Sequence, residues 1–257
     1  MEKTSFLHAD RALLTVMVQA RTPERVKELV TLSKAEGAEA FGMQFERLRQ
    51  EYRTKETYKA LFAFAAPSPV YVTNYRGKRN DAGVFAKDDE TLSAELLEIA
   101  ECGATLCDVM GDYFDPCPGE LTVNEEAVAK QMALIDALHA RGAEVLMSSH
   151  VHAFIPAERV LEIALEHQRR GADICKIVTG ASNMEEQIEN LRILQLLKQT
   201  LHIPVLFLSG GESYISRRLG GTIGNCMTLC VQEYDDLATK AQPLLRDMKI
   251  LRELLSK

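Results

Sequence analysis

The sequence predicts one α/β domain, a single (β/α)8 barrel over residues 1–257. Three observations predict it. Eight short apolar runs recur along the chain, and each is followed by a segment of helical periodicity. The 257 residues are close to the ~250 that eight such units usually occupy. Strict alternation of strand and helix patterns argues a parallel sheet with helices outside it. Eight units argue a closed barrel over an open doubly wound sheet.

The runs fall at residues 13–18, 39–45, 70–75, 105–110, 144–148, 173–178, 204–208 and 223–229. Short continuous apolar runs suit parallel strands buried on both faces. After the first, Thr22-Pro23-Glu24 opens a helix, with Thr22 as N-cap and Pro23 at the first helical position. Gly37-Ala38-Glu39, Gly103-Ala104-Thr105, Gly142-Ala143-Glu144 and Gly171-Ala172-Asp173 each precede a run. Glycine there suits the left-handed position that stops a helix. Pro156-Ala157-Glu158 opens the fifth helix. Ser182 with Glu185 matches a capping box for the sixth, whose apolar face is read as Ile188, Leu191, Leu194 and Leu197. The seventh is short, around Tyr214 to Leu219. No low-complexity linker divides the chain.

Composition excludes some classes. A 46% hydrophobic and 26% charged chain has enough apolar material for a core, so disorder is out. The net charge of −7 argues against nucleic-acid partners, because such binding runs on Lys and Arg neutralising phosphates. The absence of Trp and the 6% aromatic content disfavour stacking platforms. No apolar run reaches the ~18 residues of a membrane span, and the first residues lack the apolar stretch of a signal peptide. Cys102, Cys107, Cys117, Cys175, Cys226 and Cys230 form no C-x-x-C pair. They read as reduced core cysteines of a cytoplasmic protein.

A barrel carries its active site at the C-terminal ends of its strands. Lys176 lies inside the sixth run, Ile174-Cys175-Lys176-Ile177-Val178. Burial disfavours the ammonium form, and a neutral buried amine suits imine formation with a carbonyl. The competing reading is an inward lysine paired to a carboxylate or reaching solvent. His150 ends the fifth run, placed for general acid/base work. His152 is two residues on, but a metal pair is the weaker reading because no third ligand sits at a comparable position. His139, His167 and His202 read as structural or exposed. Arg217 and Arg218 follow the seventh run, and Arg76 follows the third. Arginine is the usual fork for a carboxylate or phosphate, although any one of these could be a surface ion pair. Gly210-Gly211, with Gly220-Gly221 and Gly224, could form a phosphate-binding turn.

Three motifs converge on a family. Ser148-Ser149-His150, then Gly171-Ala172-Asp173-Ile174-Cys175-Lys176-Ile177, then Ile215-Ser216-Arg217 with Gly220 and Gly224, resemble the type I 3-dehydroquinate dehydratases. The resemblance runs from the first strand to the region of Gln242. It implies a lyase of the shikimate pathway of aromatic amino acid biosynthesis, dehydrating 3-dehydroquinate to 3-dehydroshikimate, without a cofactor or metal. Lys176 would be the Schiff-base lysine and His150 its acid/base partner. Arg217 would hold the substrate carboxylate, with Arg76 and Gln242 as further substrate contacts. A cytoplasmic homodimer acting on a small anionic substrate is implied by the resemblance alone. Lys176, Arg217 and Arg76 are where positive charge is expected to gather in this acidic chain.

The chain departs from the family pattern on its second strand. The family's Glu-x-Arg-x-Asp reads Gly42-Met43-Gln44-Phe45-Glu46 here, so Gln44 and Glu46 are the remaining polar candidates for substrate contact. The Glu that orients the catalytic His in the family is Asn80 or Asp81 here, and the Asp after that His is Val151. Missing polar partners can cost orders of magnitude in discrimination. Two further readings therefore stand beside the dehydratase: a Schiff-base lyase or aldolase of the same barrel type acting on another keto acid or sugar phosphate, and a non-catalytic relative. Retention of Lys176, His150 and Arg217 together argues against the last.

Overall fold

In the computed structural model, which describes residues 5–77, 87–211 and 215–256, each of the eight apolar runs holds a strand. They are β1 (Leu13–Val18), β2 (Ala40–Gln44), β3 (Val70–Thr73), β4 (Leu106–Met110), β5 (Glu144–His150), β6 (Ile174–Thr179), β7 (Val205–Ser209) and β8 (Met227–Cys230). The helices are α1 (Pro23–Glu36), α2 (Lys55–Ala65), α3 (Asp89–Glu101), α4 (Glu125–Ala140), α5 (Ala157–Arg169), α6 (Met184–Thr200), α7 (Ile215–Ile223) and α8 (Leu245–Leu255). Two 3-10 turns, Phe45–Arg47 and Gln50–Tyr52, precede α2. The strands form one parallel sheet in the order β7-β6-β5-β4-β3-β2-β1-β8. This is a nearly closed (β/α)8 barrel.

The eighth strand starts later than expected, because Ile223 belongs to α7. The physical reason lies at the β7–β8 seam. There the backbone ladder is a single bridge between Val205 and Asn225, with Cys226 N–H donating to the Val205 carbonyl at 2.9 Å. The Asn225 side chain takes over the pairing. Its Oδ1 accepts from Phe207 N–H at 2.7 Å and its Nδ2 donates to the Phe207 carbonyl at 3.0 Å. An amide side chain thus stands in for a peptide and completes the ring. Gly220 makes room for it, since a Cβ there would lie 2.4 Å from Asn225 Nδ2. Gly220 and Gly221 are helical residues packed on Asn225 and Thr228, so the phosphate-turn reading does not apply to them.

Local signals explain most boundaries. Gly37, Gly103, Gly142 and Gly171 all have left-handed φ, between 74° and 116°, where a Cβ would strain the backbone. Thr22 caps α1 by accepting from Arg25 N–H. The α6 cap is one residue later than the capping-box reading. Asn183 accepts from Glu186 N–H at 2.9 Å, and the Glu186 carboxylate reaches back to Ser182 N–H at 2.5 Å. Asn holds the position because its side chain is as good an N-cap as Ser. The buried face of α6 is Gln187, Asn190, Ile193, Leu194 and Leu197, while Ile188 is 61% exposed.

The period-two alternation of each strand separates two environments. Val70 and Val72, Cys107 and Val109, and Cys175 and Ile177 point outward to the helices. Tyr71, Leu106, Leu146, Ile174 and Leu206 pack in the barrel interior. Phe6 joins that interior from the N-terminal end, its N–H donating to the Glu144 carboxylate. His167 is structural. It is fully buried between Ser149 Oγ (2.9 Å) and Cys175 Sγ (3.4 Å), and burial with nearby Arg170 lowers its pKa to about 3. His139 pairs with Asp173 and His202 is exposed. All six cysteines are free thiols. Among the described residues no helix is long and apolar enough to cross a membrane.

Replacing Asn225 with Ala should expose the seam. Phe207 N–H and C=O would be left buried and unpaired, at a cost of roughly 2–4 kcal/mol. Urea unfolding should show a lower midpoint at unchanged slope. An unchanged midpoint would mean that the Val205 bridge alone holds β7 to β8.

Candidate active site

The alternation that buries the interior also brings two opposite charges into it. Lys176 on β6 and Asp108 on β4 both point inward, and Lys176 Nζ lies 3.2 Å from Asp108 Oδ2. Tyr71 from β3 and Tyr75, two residues beyond that strand, close the group. Lys176 Nζ donates to Tyr75 Oη at 2.6 Å and to Tyr71 Oη at 3.0 Å. Both phenols donate to Asp108 Oδ2. Ser148, the β5 neighbour of Lys176 in register, donates to Asp108 Oδ1 at 2.6 Å. An ammonium has three N–H donors, and here each has an acceptor. Burial pushes the Asp108 carboxyl up, but Lys176, Ser148 and the two phenols outweigh it and hold the group below its ordinary value. Burial and the Asp108 charge push both tyrosines far up, so they stay protonated. The lysine is thus buried, as its place in an apolar run predicted, but it is an ion-paired lysine and not an isolated amine.

A second dyad forms the wall above it. His150 Nδ1–H donates to Glu120 Oε2 at 2.6 Å, and the His150 backbone N–H donates to the same oxygen at 3.0 Å. Glu120 sits in the loop between β4 and α4 with a left-handed φ of 49°, unusual for a residue with a Cβ. Its own carbonyl is fixed by Ser149 Oγ at 2.6 Å. Burial raises the Glu120 carboxyl, and the stronger pull of His150, with help from Lys176, brings it below normal. The carboxylate therefore fixes the tautomer of His150 and leaves Nε2 as its second functional nitrogen. The Tyr75 ring meets the His150 ring edge-on at 5.5 Å, and the His152 ring stacks on it at 5.9 Å.

All seven residues singled out for the site line one cavity of about 640 Å³: Lys176, His150, Arg217, Arg76, Gln242, Gln44 and Glu46. That volume suits a small metabolite. Their engagements differ. Arg217, on the first turn of α7, donates through Nε to the Ser209 carbonyl at 2.8 Å. Arg76 is clamped by Asp89 at 2.6 Å and Asp112 at 2.9 Å. Gln44 accepts from Gln19 at 2.7 Å, and Gln19 in turn bonds Thr239 in the loop after β8. Glu46 is fully buried on Thr73, and burial raises its pKa. The Gln242 backbone is tied to Thr239 and Tyr234, while its side-chain Oε1 is buried without a partner among the described residues. The expected gathering of positive charge is therefore largely paired, Lys176 with Asp108 and Arg76 with two aspartates.

Gly42 has a steric cause. A Cβ there would lie 2.1 Å from Met17 Sδ and 3.2 Å from the Tyr71 ring. Met17 and Tyr71 fill the space that a longer side chain at residue 42 would take. Asn80 and Asp81 lie outside the described residues. Glu120 holds His150 instead, and no sequence pattern announced it. Asp108 was open to the logic applied to Lys176, since it is a charge within the apolar run Leu106–Met110.

Comparison with known proteins agrees with this architecture. A family model described as type I 3-dehydroquinase matches residues 14–256. The 3-dehydroquinate dehydratase of Lactiplantibacillus plantarum is 27% identical over 159 residues, 61% of this chain and 58% of that protein. That of Geobacillus thermodenitrificans is 29% identical over 92 residues, 35% of this chain and 36% of that protein. The chain thus spans under two thirds of the length of these relatives. Among solved structures, 3-dehydroquinate dehydratase from Geobacillus kaustophilus superposes with a TM-score of 0.81 at 16% identity, covering 97% of this chain and 93% of the other. The Clostridium difficile type I enzyme, with covalently modified comenic acid, gives 0.79 at 16% identity, covering 97% and 94%. At such identities the structural likeness is one of fold.

The strained loop makes a prediction. Glu120→Ala removes both bonds to His150 and should destabilise the protein by about 1–3 kcal/mol. Glu120→Gly loses the same bonds but suits the left-handed backbone, so it should be more stable than the Ala variant by about 1 kcal/mol. Denaturant unfolding of the two variants tests the order. The reverse order would mean that the loop relaxes once the carboxylate is gone.

Proposed function

Because the chain belongs to the type I 3-dehydroquinase family, we propose that it dehydrates 3-dehydroquinate to 3-dehydroshikimate through an imine on Lys176. The observation that carries the proposal is the pairing of two devices in one cavity. Lys176 Nζ is buried among proton-carrying groups, and a His150–Glu120 dyad lines the same space. The chemistry needs both. Attack of the amine on the ketone and loss of water give a protonated imine. That imine draws electron density from the adjacent carbon, so His150 can remove a proton there. The β-hydroxyl then leaves with a proton supplied by His150, and water releases the enone from Lys176. Arg217 is assigned to the substrate carboxylate and Gln242, with its unpaired Oε1, to a hydroxyl. Arg76, Gln44 and Glu46 complete the wall. Glu46, whose pKa burial raises, is held by Thr73 Oγ1, which donates to its carboxyl. The proposal extends to a small anionic substrate and a cytoplasmic homodimer, which rest on the family alone.

One observation favours a second reading. Met17 occupies the space beside Gly42 and lines the cavity, so this part of the wall is a thioether. The same lysine chemistry would then act on a different keto acid with fewer hydroxyls at that position.

Borohydride reduction with 3-dehydroquinate present, followed by peptide mass spectrometry, separates the readings. The dehydratase should leave an adduct on Lys176 and release a conjugated enone that absorbs in the ultraviolet. An adduct without enone would favour the second reading, and no adduct with any keto acid would sink both. Lys176→Met should lower turnover by about 10³-fold or more. Glu120→Gln should lower kcat by about 10–100-fold with a smaller change in KM, because it unfixes the acid/base His150 but spares the cavity. An unchanged kcat in Glu120→Gln would remove the dyad from the mechanism.

A further inference from the structure

We infer that Tyr75 is a further catalytic residue, a proton relay that converts the Lys176–Asp108 ion pair into a reactive neutral amine and a proton store. The inference rests on Lys176 being the imine-forming residue. Three observations carry it. The ammonium is saturated: its three N–H donors meet Tyr75, Tyr71 and Asp108 at 2.6, 3.0 and 3.2 Å. A saturated ammonium has no lone pair with which to attack, so one proton must move first. The shortest of the three contacts is to Tyr75, whose own hydroxyl is bonded to Asp108 Oδ2 at 2.5 Å. Tyr75 also lines the cavity, whereas Tyr71 and Asp108 lie behind it. Tyr75 is therefore the one residue that bonds both the reacting nitrogen and the carboxylate and also lines the cavity.

The steps balance. The ammonium gives a proton to Tyr75 Oη while the Tyr75 hydroxyl proton passes to Asp108 Oδ2. A neutral amine, a neutral acid and an unchanged phenol result, and no charge is left unpaired in the interior. The nitrogen lone pair then forms the N–C bond, and the carbonyl π pair moves to oxygen. That oxygen takes the second Nζ proton through His150. The stored proton returns from Asp108 through Tyr75 to the carbinolamine hydroxyl. It departs as water while the nitrogen lone pair closes the C=N bond. Both transferred protons end in that water. The iminium keeps one hydrogen and one positive charge, facing an Asp108 that is ionised again. Neither phenol ionises at any stage, in keeping with two tyrosines buried beside a carboxylate. Direct transfer along the 3.2 Å contact to Asp108 is the longer of the two routes, and the relay runs through the shorter 2.6 Å contact to Tyr75.

The test uses a probe that does not depend on the assigned substrate. Glyoxylate with cyanoborohydride traps any imine at Lys176, and the labelling rate is read by peptide mass spectrometry. Tyr75→Phe keeps the ring against His150 and removes only the oxygen. It should label Lys176 at least about tenfold more slowly than the unaltered chain. The unaltered chain should show a solvent deuterium effect on labelling whose dependence on deuterium fraction is curved, as two protons in flight require. The variant should lose that curvature. The second measurement is made on the native sequence and reads the relay even if the variant folds poorly. Equal labelling rates in a folded variant, or a linear dependence in the native chain, would overturn the relay. So would failure of glyoxylate to label Lys176. Labelling by glyoxylate with no turnover of 3-dehydroquinate would overturn the substrate assignment and leave the relay standing.

Discussion

The interaction on which the rest depends is the buried pair between Lys176 and Asp108. Two ions removed from water lose several kcal/mol of hydration each, and their attraction offsets this only when the remaining donors and acceptors are also satisfied. The surroundings meet that condition. Ser148 takes one carboxylate oxygen, two phenols and the ammonium take the other, and the ammonium has no donor left over. The barrel is what makes the arrangement affordable, because four adjacent strands deliver these groups from fixed registers. Removing either ion would strand the other, so the pair ties the interior of β3, β4, β5 and β6 to one chemistry.

The fold was legible because its signals are local. Glycines at 37, 103, 142 and 171 mark helix ends by a conformation that a Cβ disfavours, and this shows in the sequence without knowledge of the partner elements. Thr22 and Pro23 mark a helix start in the same way. Legibility failed where a long-range contact replaced a local rule. The seam between β7 and β8 is held by the side chain of Asn225, and nothing in its neighbourhood distinguishes a peptide mimic from a polar loop residue. The α6 face was misread for a related reason. Gln187 and Asn190 are buried because Ser209 Oγ and the Gly180 carbonyl meet them, so two amides displaced Ile188 from the interior.

The site divides along the same line. Lys176 and His150 were readable because a charge in an apolar run and a His at a strand end are conspicuous against their own neighbours. Asp108 obeys the first criterion equally well and yields to it once the criterion is applied to every strand. Glu120 does not. It lies 30 residues before His150, in a loop, and its role comes from a left-handed turn that aims the carboxylate back over β5. The role of Tyr75 is likewise set by where β3 ends, and an aromatic at a strand end more often reads as packing.

These placements change how an acidic chain would hold the anionic ketone proposed for it. The sequence suggested a pool of positive charge at Lys176, Arg217 and Arg76. Arg76 instead bridges Asp89 and Asp112 and fixes the loop that carries Tyr75, while Lys176 shares its charge with Asp108. Simple attraction by these two cations is therefore weak at rest. Under the proposed function binding would rest on directed hydrogen bonds, to which Arg217 and the Gln242 Oε1, unpartnered among the described residues, are assigned. Under the proposed relay the pair discharges when a proton passes from Lys176 to Asp108, and it re-forms when the iminium faces the ionised carboxylate. A buried pair that discharges for the attack and re-forms on the iminium, by transfers over distances of about 3 Å, would discriminate by reactivity more than by affinity. Such a cavity would tolerate Met17 beside Gly42, because the wall would set which ketone fits and the buried network what happens to it.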